Sequence, residues 1–235
     1  ALLLRVLKQN KQAIEIYLKL LTIAPYHEIA LNNLGYMYQE NGQFQDALQC
    51  YTQRIQVCPE NYYNIGIVFE RLKQFEQAEQ MYLKTIQIEP NHSKSYNNLG
   101  NLYKAQGQLA KAQKYYHEAL IHDPNFAELY GNFSVLFNLL ALPSKALIYA
   151  QKAISFKEDL LGFYSNFLFF LHYDPFVLGK QIRVAYYEWG EKITLKVEPY
   201  KQYRNESEAN KRLRIGYLSP DFRQHSANHI LSTLL

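Results

Sequence analysis

Tyr96-Asn97-Asn98-Leu99-Gly100-Asn101-Leu102-Tyr103, followed at fixed distances by Ala112, Tyr116 and Pro124, is the stretch that decides the fold. Its spacing recurs upstream as Tyr62, Ile65, Gly66, Phe69, Ala78, Tyr82 and Pro90, and again as Leu31, Leu34, Gly35, Tyr38, Ala47, Tyr51 and Pro59. Self-similarity at a period of about 34 residues means stacked copies of one supersecondary unit. The residue types have packing reasons. Small Gly and Ala stand where helices approach too closely for a larger side chain, aromatic residues fill the space between hairpins, and Pro ends the second helix of each unit.

This combination resembles the tetratricopeptide repeat, two antiparallel helices per unit, and three complete copies agree. The fold expected is therefore all-α, a right-handed α-solenoid of tetratricopeptide repeats over residues 1–158. Ala13, Tyr17 and Pro25 supply the second helix of a partial first repeat, so the chain reads as cut open at its N-terminus. Downstream the register persists in Tyr130, Phe133, Phe137, Ala146 and Ala153, but Ser134 takes the Gly position and Ala150 the aromatic one. Residues 159–195 read as a degenerate repeat plus a capping helix with Val177, Ile182, Ala185, Tyr186 and Trp189 on one apolar face. One irregularity stands out: Pro59 to Gly66 is three residues shorter than Pro25 to Gly35 or Pro90 to Gly100. The expectation is a first helix that begins nearly a turn late and a local distortion of the stack, with Arg54 a second irregular residue nearby.

Composition narrows the partners. The net charge is only +4 and no block of Lys and Arg forms a nucleic-acid arm or membrane patch. Cys50 and Cys58 are the two cysteines, without a second pair at zinc spacing, and read as plain helix residues in a reducing, cytoplasmic compartment. The most apolar window, Leu160 to Leu178, carries Asn166, His172, Asp174 and Pro175, so it reads as a buried helix ending near Tyr173 rather than a membrane span.

The candidate binding surface is an asparagine ladder. Asn33, Asn64 and Asn98 each precede the repeat Gly by two residues, and Asn132 and Asn166 hold the matching place in the degenerate copies. At 100° per residue this position lies roughly 150° from the centre of the apolar stripe, on the face that lines a solenoid's concave groove. Asn is a poor helix former, so its recurrence is not explained by propensity. Its amide offers both donors and an acceptor, which suits the backbone of an extended polypeptide whatever the side chains. Passive copying of a polar residue by repeat duplication remains the alternative.

Residues 196–211 are polar and Pro-containing and read as a linker, after which Arg212 to Leu218 alternates like a strand and Ser226 or Asn228 could open a helix. The run Arg214-Ile215-Gly216-Tyr217-Leu218-Ser219-Pro220-Asp221-Phe222-Arg223-Gln224-His225, with His229, resembles the opening of the catalytic region of protein O-GlcNAc transferases. Asn166-Phe167-Leu168-Phe169-Phe170-Leu171-His172-Tyr173-Asp174-Pro175 and Glu188-Trp189-Gly190 are similar to the bacterial and SPINDLY-like members. That resemblance implies transfer of N-acetylglucosamine from UDP-GlcNAc, with inversion and without a metal, to Ser or Thr hydroxyls of a polypeptide held by the repeats. It makes residues 212–235 the first βα unit of a truncated α/β glycosyltransferase domain. It places His225 in the active site as a candidate base, unless His225 merely caps the following helix. The family's donor pocket is built largely by a second lobe, so the chain as given is expected to be inactive alone. The competing reading is a protein-protein interaction scaffold without catalysis.

Overall fold

The computed structural model describes residues 10–53, 58–156 and 161–194, and within these every regular element is a helix. In chain order they are α1 (Asn10–Ile23), α2 (Glu28–Glu40), α3 (Phe44–Thr52), α4 (Pro59–Arg71), α5 (Phe75–Ile88), α6 (Ser93–Ala105), α7 (Leu109–His122), α8 (Ala127–Leu139), α9 (Pro143–Phe156), α10 (Leu161–Leu171) and α11 (Gly179–Thr194). Helices α2–α3, α4–α5, α6–α7 and α8–α9 are four hairpins, each packed on the next, and α1 packs on α2. The linker at 196–211, the expected βα unit at 212–235 and Arg54 lie outside the described residues.

The repeat residues form the core as their spacing predicts. Tyr51, Tyr82 and Tyr116 are fully buried, as are Ala47, Ala78 and Ala112. The close approach that demands glycine is to an aromatic ring, not to a helix backbone. A Cβ on Gly35, Gly66 or Gly100 would stand 2.7, 2.6 or 2.3 Å from a ring atom of Tyr51, Tyr82 or Tyr116 of its own hairpin, which is inside van der Waals contact. The aromatic residue therefore fills the inside of its own hairpin, directly over the glycine.

The fourth hairpin explains its own departure. Ser134 brings a Cβ to the glycine position, and Ala150 removes the ring that would collide with it; both are buried. The volume is refilled from the neighbouring position, where the Tyr149 ring lies 5.0 Å from each of Phe133 and Phe137. The Ser134 hydroxyl is satisfied by donating to the Gly131 carbonyl at 2.7 Å. The close approach itself moves to Gly131, whose Cβ would meet Phe163 of α10 at 2.7 Å.

The expected late start of the shortened repeat is corrected by the structure. Helix α4 keeps 13 residues, like α2, α6 and α8, and begins at the same register relative to its glycine. Helix α4 starts on Pro59 itself, whereas α2 and α6 start three residues after Pro25 and Pro90, and at the first helical position the missing N–H of Pro59 has no intrahelical acceptor to lose. Asn61, buried in the first turn of α4, donates to the Tyr51 carbonyl near the end of α3 at 2.9 Å and ties the two ends together. The core divides here. One cluster runs from Ala78 to Leu171, and two smaller ones lie N-terminal to it, joined through Tyr38 and Phe69.

Cys50 is buried in α3, and burial with the Asp46 carboxylate pushes its thiol up to about 11, the behaviour of an inert structural cysteine. Cys58 is not a helix residue as expected; it is the extended residue preceding α4. Helix α10 buries Leu168, Phe170 and Leu171, and Val177, Ile182, Ala185 and Trp189 pack against the same core, whereas Tyr186 stands 43% exposed and meets His172 instead. Among the described residues no helix is long and apolar enough to cross a membrane.

Candidate peptide-binding face

The ladder residues Asn33, Asn64, Asn98, Asn132 and Asn166 lie on α2, α4, α6, α8 and α10, the first helices of successive units, and each is half-buried. Neighbouring repeats cover part of each amide and use it. Asn64 Nδ2 donates to Asn32 Oδ1 one repeat away at 3.3 Å, and Asn132 Nδ2 donates to Asn97 Oδ1 at 2.8 Å.

These bonds continue into a directional chain. Asn97 Nδ2 donates to Asn98 Oδ1 at 3.4 Å, Asn98 Nδ2 to the Tyr82 hydroxyl at 3.3 Å, and that hydroxyl to Glu70 Oε2 at 2.8 Å. The network thus runs from α8 through α6 and α5 to α4. Burial first, then the Glu70 carboxylate, raises the Tyr82 hydroxyl well above the ordinary phenol range, so it stays a donor. Asn98 is also a hydrogen-bond partner of the Tyr63 hydroxyl, which leaves its amide the most fully occupied of the ladder.

The five amides are consequently not equivalent. Asn64 and Asn132 each keep an N–H and the Oδ1 oxygen, while Asn33 and Asn166 have no hydrogen-bond partner among the described residues. Residues that the sequence reading passed over join or adjoin this network: Asn32 and Asn97 beside the ladder, Glu70 on α4, and Asn101 on α6, whose Oδ1 accepts from Lys104 Nζ and from the Tyr116 hydroxyl. The signal was present in the doublets Asn32-Asn33 and Asn97-Asn98, where the first amide of each pair braces the ladder residue of the next repeat. His225 lies outside the described residues.

A solenoid of helical hairpins with Gly-over-Tyr packing and polar first-helix faces defines the class: this is a tetratricopeptide-repeat solenoid. The tetratricopeptide repeat family matches residues 29–61, 62–92 and 93–126, the three copies read from the sequence. Among solved structures, the chain is similar in fold to TTC0263, a thermophilic tetratricopeptide-repeat protein of Thermus thermophilus, with a TM-score of 0.63 and 18% identity over 73% of this chain and 95% of that one. It is similar to MamA, with a TM-score of 0.57 and 23% identity over 66% of this chain and 92% of that one. It is similar also to YrrB, described as a tetratricopeptide-repeat protein with an unusual peptide-binding site, with a TM-score of 0.52 and 20% identity over 69% and 86%. No curated protein matches the chain.

Proposed function

We propose that this chain is a protein-protein interaction scaffold that holds an extended polypeptide along the first-helix face of its repeats. The observation that carries this reading is the ladder's bracing. Asn64 and Asn132 are fixed by hydrogen bonds to the preceding repeat, so their remaining donor and acceptor are presented in register without a further loss of rotamer freedom on binding. Amides so held suit backbone N–H and C=O groups and select no side chain. The peptide-binding site named for YrrB lends this reading support by fold alone. Peptide titrations followed by fluorescence anisotropy test it. A variant with Asn33→Ala, Asn64→Ala and Asn132→Ala should bind a Ser/Thr-rich 12-mer about tenfold more weakly, for roughly 0.5–1.5 kcal/mol per lost hydrogen bond, with unchanged helical circular dichroism. Equal affinity removes the ladder from the function.

A second reading rests on the run from Arg214 to His225. In it the repeats are the acceptor-holding arm of a protein O-GlcNAc transferase, and His225 stands beside the acceptor hydroxyl while UDP-GlcNAc supplies the sugar. The repeats contribute position alone; transfer also requires an activated sugar at attack distance and stabilisation of the departing UDP. Radiolabelled UDP-GlcNAc with an acceptor protein, given to the protein purified from its native source, decides between the two readings. Incorporation that His225→Ala abolishes supports the transferase, and no incorporation leaves the scaffold.

A further inference from the structure

On each second helix, the residue just before the signature tyrosine position is Cys50 in α3, Met81 in α5, Tyr115 in α7 and Tyr149 in α9. In the last three a long side chain there lies against the first helix of its hairpin. The Tyr149 ring is 5.0 Å from each of Phe133 and Phe137, Tyr115 stacks on Tyr103 at 5.2 Å, and Met81 packs with Phe69 against one core cluster. Leu34 and Tyr38 of α2 hold the register positions of Phe133 and Phe137, and opposite them α3 has only the short side chain of Cys50.

The space that a side chain fills elsewhere is open here. Between α1 and α3 lies a cavity of about 300 Å³, lined by Leu34, Tyr38 and Cys50 together with Leu18 and Leu21 of α1. Close-packed interiors leave few voids larger than a water molecule, and this volume is at the lower end of small-molecule sites. Asp46, exposed at the surface, is the one charged residue of the lining among the described residues. Its carboxylate accepts from Gln43 Nε2 at 3.1 Å and makes no ion pair among the described residues. Burial first, then this carboxylate, pushes the Cys50 thiol up to about 11, so the negative charge of Asp46 is felt inside the cavity.

We propose that this cleft is a binding site for a small aromatic amine, its ring against Leu34, Tyr38 and Cys50 and its ammonium on the Asp46 carboxylate. A ring fits because Tyr115 and Tyr149 fill the same register position with one, and because stacking on Tyr38, as Tyr115 stacks on Tyr103, adds to the apolar area buried. An amine fits because the carboxylate is the charge the lining offers, and it has no cation of its own. The site lies between second helices and is independent of the asparagine ladder.

The test is a ligand-observed NMR titration of the chain at neutral pH with phenethylamine and with phenethyl alcohol, alike in size and different in charge. The amine should bind with a dissociation constant on the order of 1 mM, the scale open to so small a ligand, and about fivefold more tightly than the alcohol, as for a partly exposed ion pair. Asp46→Asn should bring the amine to the affinity of the alcohol. Cys50→Tyr gives α3 the residue of α7 and α9, and should abolish binding of both ligands and raise the urea midpoint by filling the cavity. Cys50→Met, with the residue of α5, repeats the block with less volume where tyrosine disturbs the fold. No saturable binding of the amine, equal affinities for amine and alcohol, or binding kept by a folded Cys50→Met chain overturns the site.

Discussion

The α6–α7 hairpin and the α8–α9 hairpin solve one packing problem with opposite residues. In the first, Gly100 yields its Cβ so that the Tyr116 ring can lie across it; in the second, Ser134 keeps its Cβ and Ala150 gives up the ring. Volume is conserved over the pair, not at either position, so a repeat that has lost its signature in sequence is still a well-filled repeat. The lesson is that decay of a motif and decay of a fold are different events when the motif residues touch each other.

Alkali should separate the two hairpins with the largest effect. Burial raises the hydroxyl pKa values of Tyr82, Tyr103 and Tyr116, with neighbouring carboxylates adding to the shift at Tyr82 and Tyr103. Unfolded tyrosine ionises near pH 10, so the unfolded chain loses these protons first. The stabilisation they give is complete below about pH 10 and is lost as pH rises toward the folded values. Hydrogen exchange between about pH 9 and 11 should show protection falling earlier in α4–α7, with its three such tyrosines, than in α8–α9, where the signature ring is absent and burial raises Tyr130; a simultaneous loss sinks the comparison.

Next in size is the Gly100–Tyr116 pair. Tyr116→Ala should lower stability by about 3–5 kcal/mol and Gly100→Ala by about 1–3 kcal/mol, the costs of a buried aromatic removed and of a core overpacked. The double variant should cost clearly less than the sum, because each change relieves the other, and urea unfolding of the four chains measures that coupling. Additive losses would mean that the ring and the glycine position do not share their space.

Ser134→Gly should cost about 1–2 kcal/mol, from the conformational freedom of a helical glycine and the lost hydrogen bond to Gly131. Adding Ala150→Tyr should recover part of this loss if the regular arrangement can be rebuilt. No recovery would show that Tyr149, packed on Phe133 and Phe137, has claimed the volume for good.

The smallest effect concerns the turns. Gly42, Lys73, Gly107 and Ala141 hold equivalent positions in the four hairpins, all in the left-handed region, with φ of 76°, 60°, 74° and 56°. Lys73→Gly should raise the urea midpoint by an amount worth up to about 1 kcal/mol, since a side chain there clashes with its own backbone. An unchanged or lowered midpoint would mean that Lys73 makes up its strain by other means.

Much of this could be read without coordinates. The period, the identity of first and second helices, the burial of Ala47, Ala78 and Ala112 and the register of the asparagines follow from spacing alone, because a helix repeats its faces at a fixed angle and stacked units repeat their neighbours. Tertiary structure alone decided the rest. Spacing could count three residues missing before Gly66 but could not say that α4 would start on Pro59 itself, since Pro fits both a turn and the first helical position. It could place the asparagine amides on one face but not reveal that Asn32 and Asn97 brace them from the neighbouring repeat. Periodicity fixes the direction in which a side chain leaves its helix; which groups meet it there depends on how far the next helix stands away, and that distance is set by side chains remote in the sequence.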